Sequence, residues 1–304
     1  MQPFNVHILG CGSALPTLRH NPSSQIIEVR GKTFMIDCGE GTQVQIRRAH
    51  IHFDKISIVF ISHLHGDHCF GLIGMISTFG MLGRTQPLHI YAPKELRPLL
   101  DEQLDFYCKG LEYDILFNEV DTTKTYVVYE DRSVTVTTIP LNHRIPCCGF
   151  LIREKPTLPH IRRDMIDFYN IPISQRNNIK NGADWTTPEG DIIPNSRLTS
   201  PSDSPRAYAY CSDTKYLPEL YKSLLNVDLL YHEATYCESD SERACAYFHS
   251  TGRQAAEVAL KAKVKKLIIG HYSARYDDVA PLLEEARSVF PNTYTTNEMD
   301  VFEI

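Results

Sequence analysis

The stretch Ile58-Val59-Phe60-Ile61-Ser62-His63-Leu64-His65-Gly66-Asp67-His68 decides how the rest of the chain is read. A β-branched and aromatic run ends abruptly, and three histidines and an aspartate follow within six residues. This reads as a buried strand feeding a ligand-bearing loop. Loops held by a rigid strand are where chemistry usually sits. Neutral imidazole and carboxylate suit Zn²⁺ or a similar first-row ion. His63 and His65, alternating on an extended segment, can face one ion, while the adjacent Asp67 and His68 can reach a second. A histidine-rich surface loop is the bland alternative. It accounts poorly for four ligand-type side chains packed directly behind an apolar strand.

Later strand ends add to the set. Residues 134–139 alternate as a strand and are followed by His143, a third imidazole for the first ion. Residues 207–211 run into Ser212-Asp213-Thr214, and a carboxylate there can bridge two cations, as an imidazole cannot. Residues 229–235 repeat the pattern and present Glu233. Residues 266–269 end in His271, the seventh candidate ligand. His249-Ser250-Thr251-Gly252-Arg253-Gln254 precedes a helix over 255–263. Thr251 with Gln254 forms a capping box that sets His249 just outside the helix N-terminus, a natural seat for phosphate.

The remainder supplies the scaffold. Residues 4–9 alternate as a strand into Gly10-Cys11-Gly12-Ser13-Ala14. A dinucleotide loop would need a third glycine and a helix where Pro16 stands, so no nucleotide cofactor is expected. Residues 25–29 and 33–36 flank Arg30-Gly31-Lys32 as a hairpin. Helices are expected over 42–49, 69–82, about 95–108 and 279–290, with a strand at 88–91. Early antiparallel pairs among such helices favour a layered α+β sandwich.

With 304 residues, 42% hydrophobic and 22% charged, the chain has the composition of a soluble globular protein with a large core. It shows no signal peptide, lipidation motif or membrane-spanning apolar segment, so no membrane partner is expected. Nine scattered cysteines without a C-x-x-C pair suggest reduced thiols in a cytoplasmic setting. A net charge of −6 argues against wholesale nucleic-acid coating. Residues 153–182, however, carry six cations against three anions, about +3, which leaves about −9 elsewhere. This Pro- and Asn-rich segment, with Phe168 and Tyr169, is expected to be a flexible basic arm inserted in a single domain 1–304 and suited to an RNA backbone.

With His63-Leu64-His65-Gly66-Asp67-His68, His143, Asp213 and His271 in this order, the chain resembles the metallo-β-lactamase superfamily. Residues 10–24 (GCGSALPTLRHNPSS), 249–254 (HSTGRQ) and 271–276 (HYSARY) narrow the resemblance to ribonuclease Z, the endonuclease that trims the 3′ trailer from precursor tRNA. The resemblance implies an αβ/βα four-layer sandwich with a protruding arm and two Zn²⁺ ions per subunit. It also implies a homodimer in which one subunit's arm holds tRNA for the other's site. It further implies that His63, His65 and His143 hold one zinc, that Asp67, His68 and His271 hold the other, and that Asp213 bridges. Asp67 would then orient or deprotonate the attacking water, and His249, oriented by Glu233, would act as general acid. Arg275 and the Ser250 and Thr251 region would hold phosphates, and the loop of Pro16, Arg19 and Asn21 would sense nucleotides beside the cut. The family's arm normally carries a Gly-Pro-rich tip, and residues 171–176 here lack that pair. The competing expectations are a small-molecule or cyclic-nucleotide phosphodiesterase of the same superfamily, which needs no basic arm, and a non-catalytic RNA-binding relative.

Overall fold

The buried run of the opening motif becomes the strand Ile56–Phe60, and its alternation explains the layers around it. Ile58 and Phe60 point into one apolar cluster, Val59 and Ile61 into another, so both faces of the strand are covered. A strand buried on both faces has no need of alternating polar residues. The computed structural model describes residues 2–15 and 17–304, so Pro16 of the expected substrate loop lies outside the described residues.

Chain contacts divide the protein into two compact units, Glu154–Pro205 and the remainder, which comprises Gln2–Arg153 and Arg206–Ile304. The large unit contains two seven-stranded sheets. The first runs, in spatial order, Val301–Glu303, Phe4–Gly10, Ser24–Val29, Lys32–Ile36, Ile56–Phe60, Leu88–Ala92 and Ile115–Glu119. The second runs Thr293–Thr295, Lys266–Gly270, Leu229–Glu233, Ala207–Cys211, Cys148–Glu154, Val134–Pro140 and Val127–Glu130. Phe34, Phe60 and Ile8 of the first sheet meet Phe150, Tyr208 and Tyr210 of the second in one core. Helices cover the outer faces. Leu72–Met81 packs Met75, Ile76 and Phe79 on the first sheet, and Gly252–Ala262 packs its alanine-rich face with the second. The result is the four-layer α+β sandwich that the sequence led us to expect.

The hairpin lies where the turn residues put it. Val29 pairs with Lys32, and both Arg30 (φ 50°) and Gly31 (φ 74°) are left-handed, as a two-residue turn matching the strand twist requires. The helix expected over 69–82 is instead two, Gly66–Cys69 and Leu72–Met81. At the break the Gly71 N–H donates to the Cys38 carbonyl (2.9 Å) instead of to its own helix, and the approach is close enough that a Cβ on Gly71 would collide with the Gly39 carbonyl oxygen.

The smaller unit, Glu154–Pro205, has a core of Ile171, Ile179, Ile193 and Leu198, with Trp185 and Tyr169 against it. Ile193 and Leu198 lie beyond residue 182, in a stretch that reads as polar and turn-rich, so the unit runs further than the charge excess alone suggests. Followed to Pro205 it holds six cations against seven anions, a net charge of −1. The excess of positive charge is therefore confined to its first half, where Arg162 is paired with Asp164 at 2.7 Å.

Candidate metal centre

Seven side chains from four chain-distant places converge at the ends of the two sheets in the large unit. His63 and His65 follow Ile56–Phe60, and Asp67 and His68 sit on the short helix Gly66–Cys69. His143, Asp213 and His271 each follow a strand of the second sheet, Val134–Pro140, Ala207–Cys211 and Lys266–Gly270. His65 Nδ1 lies 3.1 Å from His63 Nε2 and 3.1 Å from His143 Nε2. Asp213 Oδ2 is 3.5 Å from His63 Nε2 and 3.6 Å from His143 Nε2. Its other oxygen, Oδ1, is 3.4 Å from His68 Nε2 and 3.1 Å from His271 Nε2. Asp67 Oδ2 closes that second group, at 3.3 Å from His68 Nε2 and 3.4 Å from His271 Nε2. One carboxylate thus faces two clusters, one oxygen to each.

The hydrogen bonds behind the rings fix which nitrogen faces inward. His68 Nδ1–H donates to Asp37 Oδ2 (2.7 Å), His143 Nδ1–H to the Phe248 carbonyl (2.9 Å), and His271 Nδ1–H to the Thr235 hydroxyl (2.8 Å). His63 Nδ1–H donates to the Ser62 hydroxyl (2.9 Å), which donates in turn to Asp37 (2.9 Å). Each anchor leaves an Nε2 lone pair directed at the centre, the arrangement that orients imidazole ligands on a metal. Asp37, at φ 56°, also accepts from Tyr210 Oη (2.7 Å) and the Ser62 N–H (2.8 Å), so its carboxylate takes four donors.

The donor set fits divalent cations. Imidazole nitrogens and two carboxylates are crowded within hydrogen-bond distance, and positive charge among them relieves the repulsion between the lone pairs that the anchored rings turn inward. Burial holds His63, His65 and His143 below the ordinary imidazole value, His143 at about 4, so at neutral pH their lone pairs are free. Burial also opposes charge on His68, yet Asp67, Asp213 and Asp37 raise its pKa well above the usual value. Its Nε2 is nevertheless buried without a hydrogen-bond partner. The position between that nitrogen and the two carboxylates is therefore one that a cation could fill.

Beside this cluster, His249 Nδ1 lies 2.9 Å from Glu233 Oε1. Burial would depress His249, but the Glu233 carboxylate and its hydrogen bond carry it up to about 9. Glu233 is fully buried and also accepts from the Thr214 N–H, the Thr235 N–H and the Thr235 hydroxyl. His249 and Asp67 line a cavity of about 850 Å³ together with Phe70, Arg144, Arg243, Tyr247 and Arg275.

The chain is similar over its full length to curated proteins called Ribonuclease Z. That of Bacteroides fragilis is 59% identical over 298 residues, covering 98% of each chain. The chain belongs to the ribonuclease Z family. Among solved structures, human tRNase Z, short form, shares the fold with a TM-score of 0.71 at 23% identity, covering 98% of each chain. The metallo-β-lactamase fold protein YhfI from Bacillus subtilis does so with a TM-score of 0.69 at 16% identity, covering 100% of each. The fold is therefore the metallo-β-lactamase fold. A family model described as Anti-Pycsar protein Apyc1 matches residues 4–159, a span that ends before Asp213, His249 and His271.

In this member of the ribonuclease Z family the expected substrate contacts divide. Arg275 lines the cavity. Ser250 and Thr251 do not: both are fully buried, the Ser250 hydroxyl donates to the Thr214 carbonyl (2.7 Å), and the Thr251 hydroxyl donates to Glu238 (2.7 Å). The Thr251 N–H is taken by Gln254 in the capping box, so that helix end offers neither hydroxyl nor that amide to a phosphate. Arg19 is turned to Asp277 (2.6 Å) and the Tyr276 carbonyl (3.0 Å), and Asn21 is tied through its N–H to Glu298 (2.7 Å). Arg144, Arg243 and Tyr247 went unread in the sequence. Tyr247 is 44% exposed, with the guanidinium of Arg144 5.1 Å and that of Arg243 6.0 Å from its ring centre. Arg243 and Tyr247, four residues apart and just ahead of the HST stretch, were the available signal; Arg144 joins them only in space.

Proposed function

We propose that this chain is a metal-dependent endoribonuclease that removes the 3′ trailer from precursor tRNA, leaving a 3′-hydroxyl on the tRNA and a 5′-phosphate on the trailer. The observation that carries the reading is the His249–Glu233 pair set beside a seven-donor centre in a chain 59% identical to a Ribonuclease Z. Hydrolysis of an activated acyl bond has less need of a proton donor, whereas expelling a ribose 3′-oxygen from phosphorus needs one.

His63, His65 and His143 would hold one Zn²⁺, Asp67, His68 and His271 a second, and Asp213 would bridge. When bound, two such ions supply Lewis acidity to the scissile phosphate and lower the pKa of a nearby water towards about 7. Asp67 accepts a hydrogen bond from the attacking water and orients it: burial alone would raise this carboxyl, but His68 and His271 hold it well below the usual range, so it stays ionised. His249 stands on the cavity wall with its Nδ1 fixed by Glu233, which leaves Nε2 to protonate the departing 3′-oxygen. Arg144, Arg243 and Arg275 line the same cavity and supply charge for the flanking phosphates. We further propose Glu154–Pro205 as the tRNA-holding arm, a homodimer as the working form and the cytoplasm as its location. Among the described residues no helix is long and apolar enough to cross a membrane, and all nine cysteines are free.

The deciding experiment incubates purified protein with an end-labelled tRNA precursor, with and without chelator, and maps both cut ends. A chelator-sensitive cut at the trailer junction that leaves a tRNA 3′-hydroxyl is expected. An intact precursor alongside rapid cleavage of a small chromogenic phosphodiester would overturn the reading.

A further inference from the structure

A second group of ligand-type side chains lies apart from the seven above. Cys11 follows the strand Phe4–Gly10, His20 precedes Ser24–Val29, and Glu298 precedes Val301–Glu303. Phe4–Gly10 pairs antiparallel with both of the other strands, which brings the three residues to one end of three neighbouring strands. Cys11 Sγ lies 3.4 Å from His20 Nδ1 and 3.8 Å from Glu298 Oε1, and His20 Nδ1 lies 3.1 Å from Glu298 Oε2.

We propose that Cys11, His20 and Glu298 form a further metal site for a borderline divalent ion such as Zn²⁺, independent of the seven-donor centre. A tetrahedral ion with sulfur at about 2.3 Å and nitrogen and oxygen at about 2.0 Å sets its ligand atoms roughly 3.3 to 3.6 Å apart. Sγ and Nδ1, 3.4 Å apart, match one edge of that tetrahedron; Glu298 turns Oε1 to the sulfur (3.8 Å) and Oε2 to the nitrogen (3.1 Å), and one atom from each residue can be chosen with all three within 4.8 Å of one another. Thiolate, imidazole and carboxylate together match zinc or cobalt rather than calcium or magnesium. Among the described residues Cys11 is the one cysteine in such a cluster. Cys11 is fully buried, while the side chains of His20 and Glu298 keep 16% and 14% exposure, so an ion enters from their side.

The cluster also stands without an ion: the thiol donates to the Thr296 carbonyl (3.4 Å) and His20 pairs with Glu298. Metal entry replaces the thiol proton, which leaves to solvent, and affinity therefore rises with pH. Ser13, Ala14 and Leu15 line the catalytic cavity a few residues from Cys11. An ion here ties that rim to the chain's last strand.

Titration of the full chain with Co²⁺ tests this directly, because none of the seven donors is a sulfur and thiolate-to-cobalt absorption in the near ultraviolet reports a cysteine ligand. The wild type should develop that band, saturating at one thiolate-bound cobalt per chain. It should be lost in Cys11→Ser and in Glu298→Gln, with unchanged far-ultraviolet circular dichroism. A wild type without the band, or a Cys11→Ser protein that keeps it, overturns the proposal. Should Cys11→Ser fail to fold, His20→Gln decides: a band of undiminished affinity there is equally fatal.

Discussion

Replacing His249 with alanine separates a proton donor from a metal ligand. The distinction matters because Asp213, His249 and His271 also lie close enough together to share an ion. Glu233 loses one partner in the variant but keeps three, the Thr214 N–H, the Thr235 N–H and the Thr235 hydroxyl, so its buried carboxylate stays satisfied. Thr235 goes on receiving His271 Nδ1–H, and the seven-donor geometry has no reason to move. Metal content by emission spectrometry should therefore match the wild type. Loss of a general acid costs about 10² to 10⁴ in rate, or roughly 2.7 to 5.4 kcal/mol of transition-state stabilisation. The cost should depend on the leaving group. Single-turnover cleavage of precursor tRNA, whose ribose 3′-oxygen needs a proton, should fall by the full factor, whereas a nitrophenyl phosphodiester, whose leaving group departs as a stable anion, should lose far less. Equal losses on both substrates would refute the donor role, and a lower metal content would make His249 a ligand.

Three further outcomes follow from the same geometry. His249 is raised to about 9 by Glu233, so the donor is protonated below that value and tRNA cleavage should decline as pH rises through it; Glu233→Gln should move this basic limb to lower pH in a kcat profile, and an unmoved limb would assign it to another group. Asp37→Asn turns a four-donor acceptor into a mixed donor and acceptor behind His68 and His63, and should weaken metal affinity about 10- to 100-fold by competition with a chromophoric chelator, with the fold retained. Arg144→Ala with Arg243→Ala should raise KM for precursor tRNA and flatten its dependence on log salt by about 0.7 per lost phosphate contact, leaving kcat on a small diester unchanged.

How far the sequence could be read follows from how local each feature is. The seven inward side chains sit directly behind apolar strand runs, so position along the chain announced them, and the core alternation of Ile58, Val59, Phe60 and Ile61 announced the layers. The groups that aim those side chains are a different matter. Asp37 reaches His68 because Lys32–Ile36 runs parallel to Ile56–Phe60, and it reaches Tyr210 because the two sheets face one another. No spacing in the sequence encodes either meeting. The same holds for Ser250 and Thr251, whose motif predicts a helix cap correctly, while the cap itself consumes the polar groups that a phosphate would have needed. In Glu154–Pro205 the charge run is local and the core that encloses it is not, so the composition of one half misstated the whole.

The Asp37 arrangement also explains why the centre should resist piecemeal change. Its carboxylate joins Tyr210 from the second sheet to Ser62 and His68 from the first, with all the groups buried, so a shift of one sheet against the other must break hydrogen bonds to a buried anion. Leaving such a group unpaired costs more than an ordinary hydrogen bond returns. The seven inward donors are therefore held in register by the packing of the two sheets as well as by their own loops. Tyr210→Phe, which removes only the cross-sheet donor, should loosen metal binding while preserving the core volume. Unchanged metal affinity in that variant would show that the loops alone suffice.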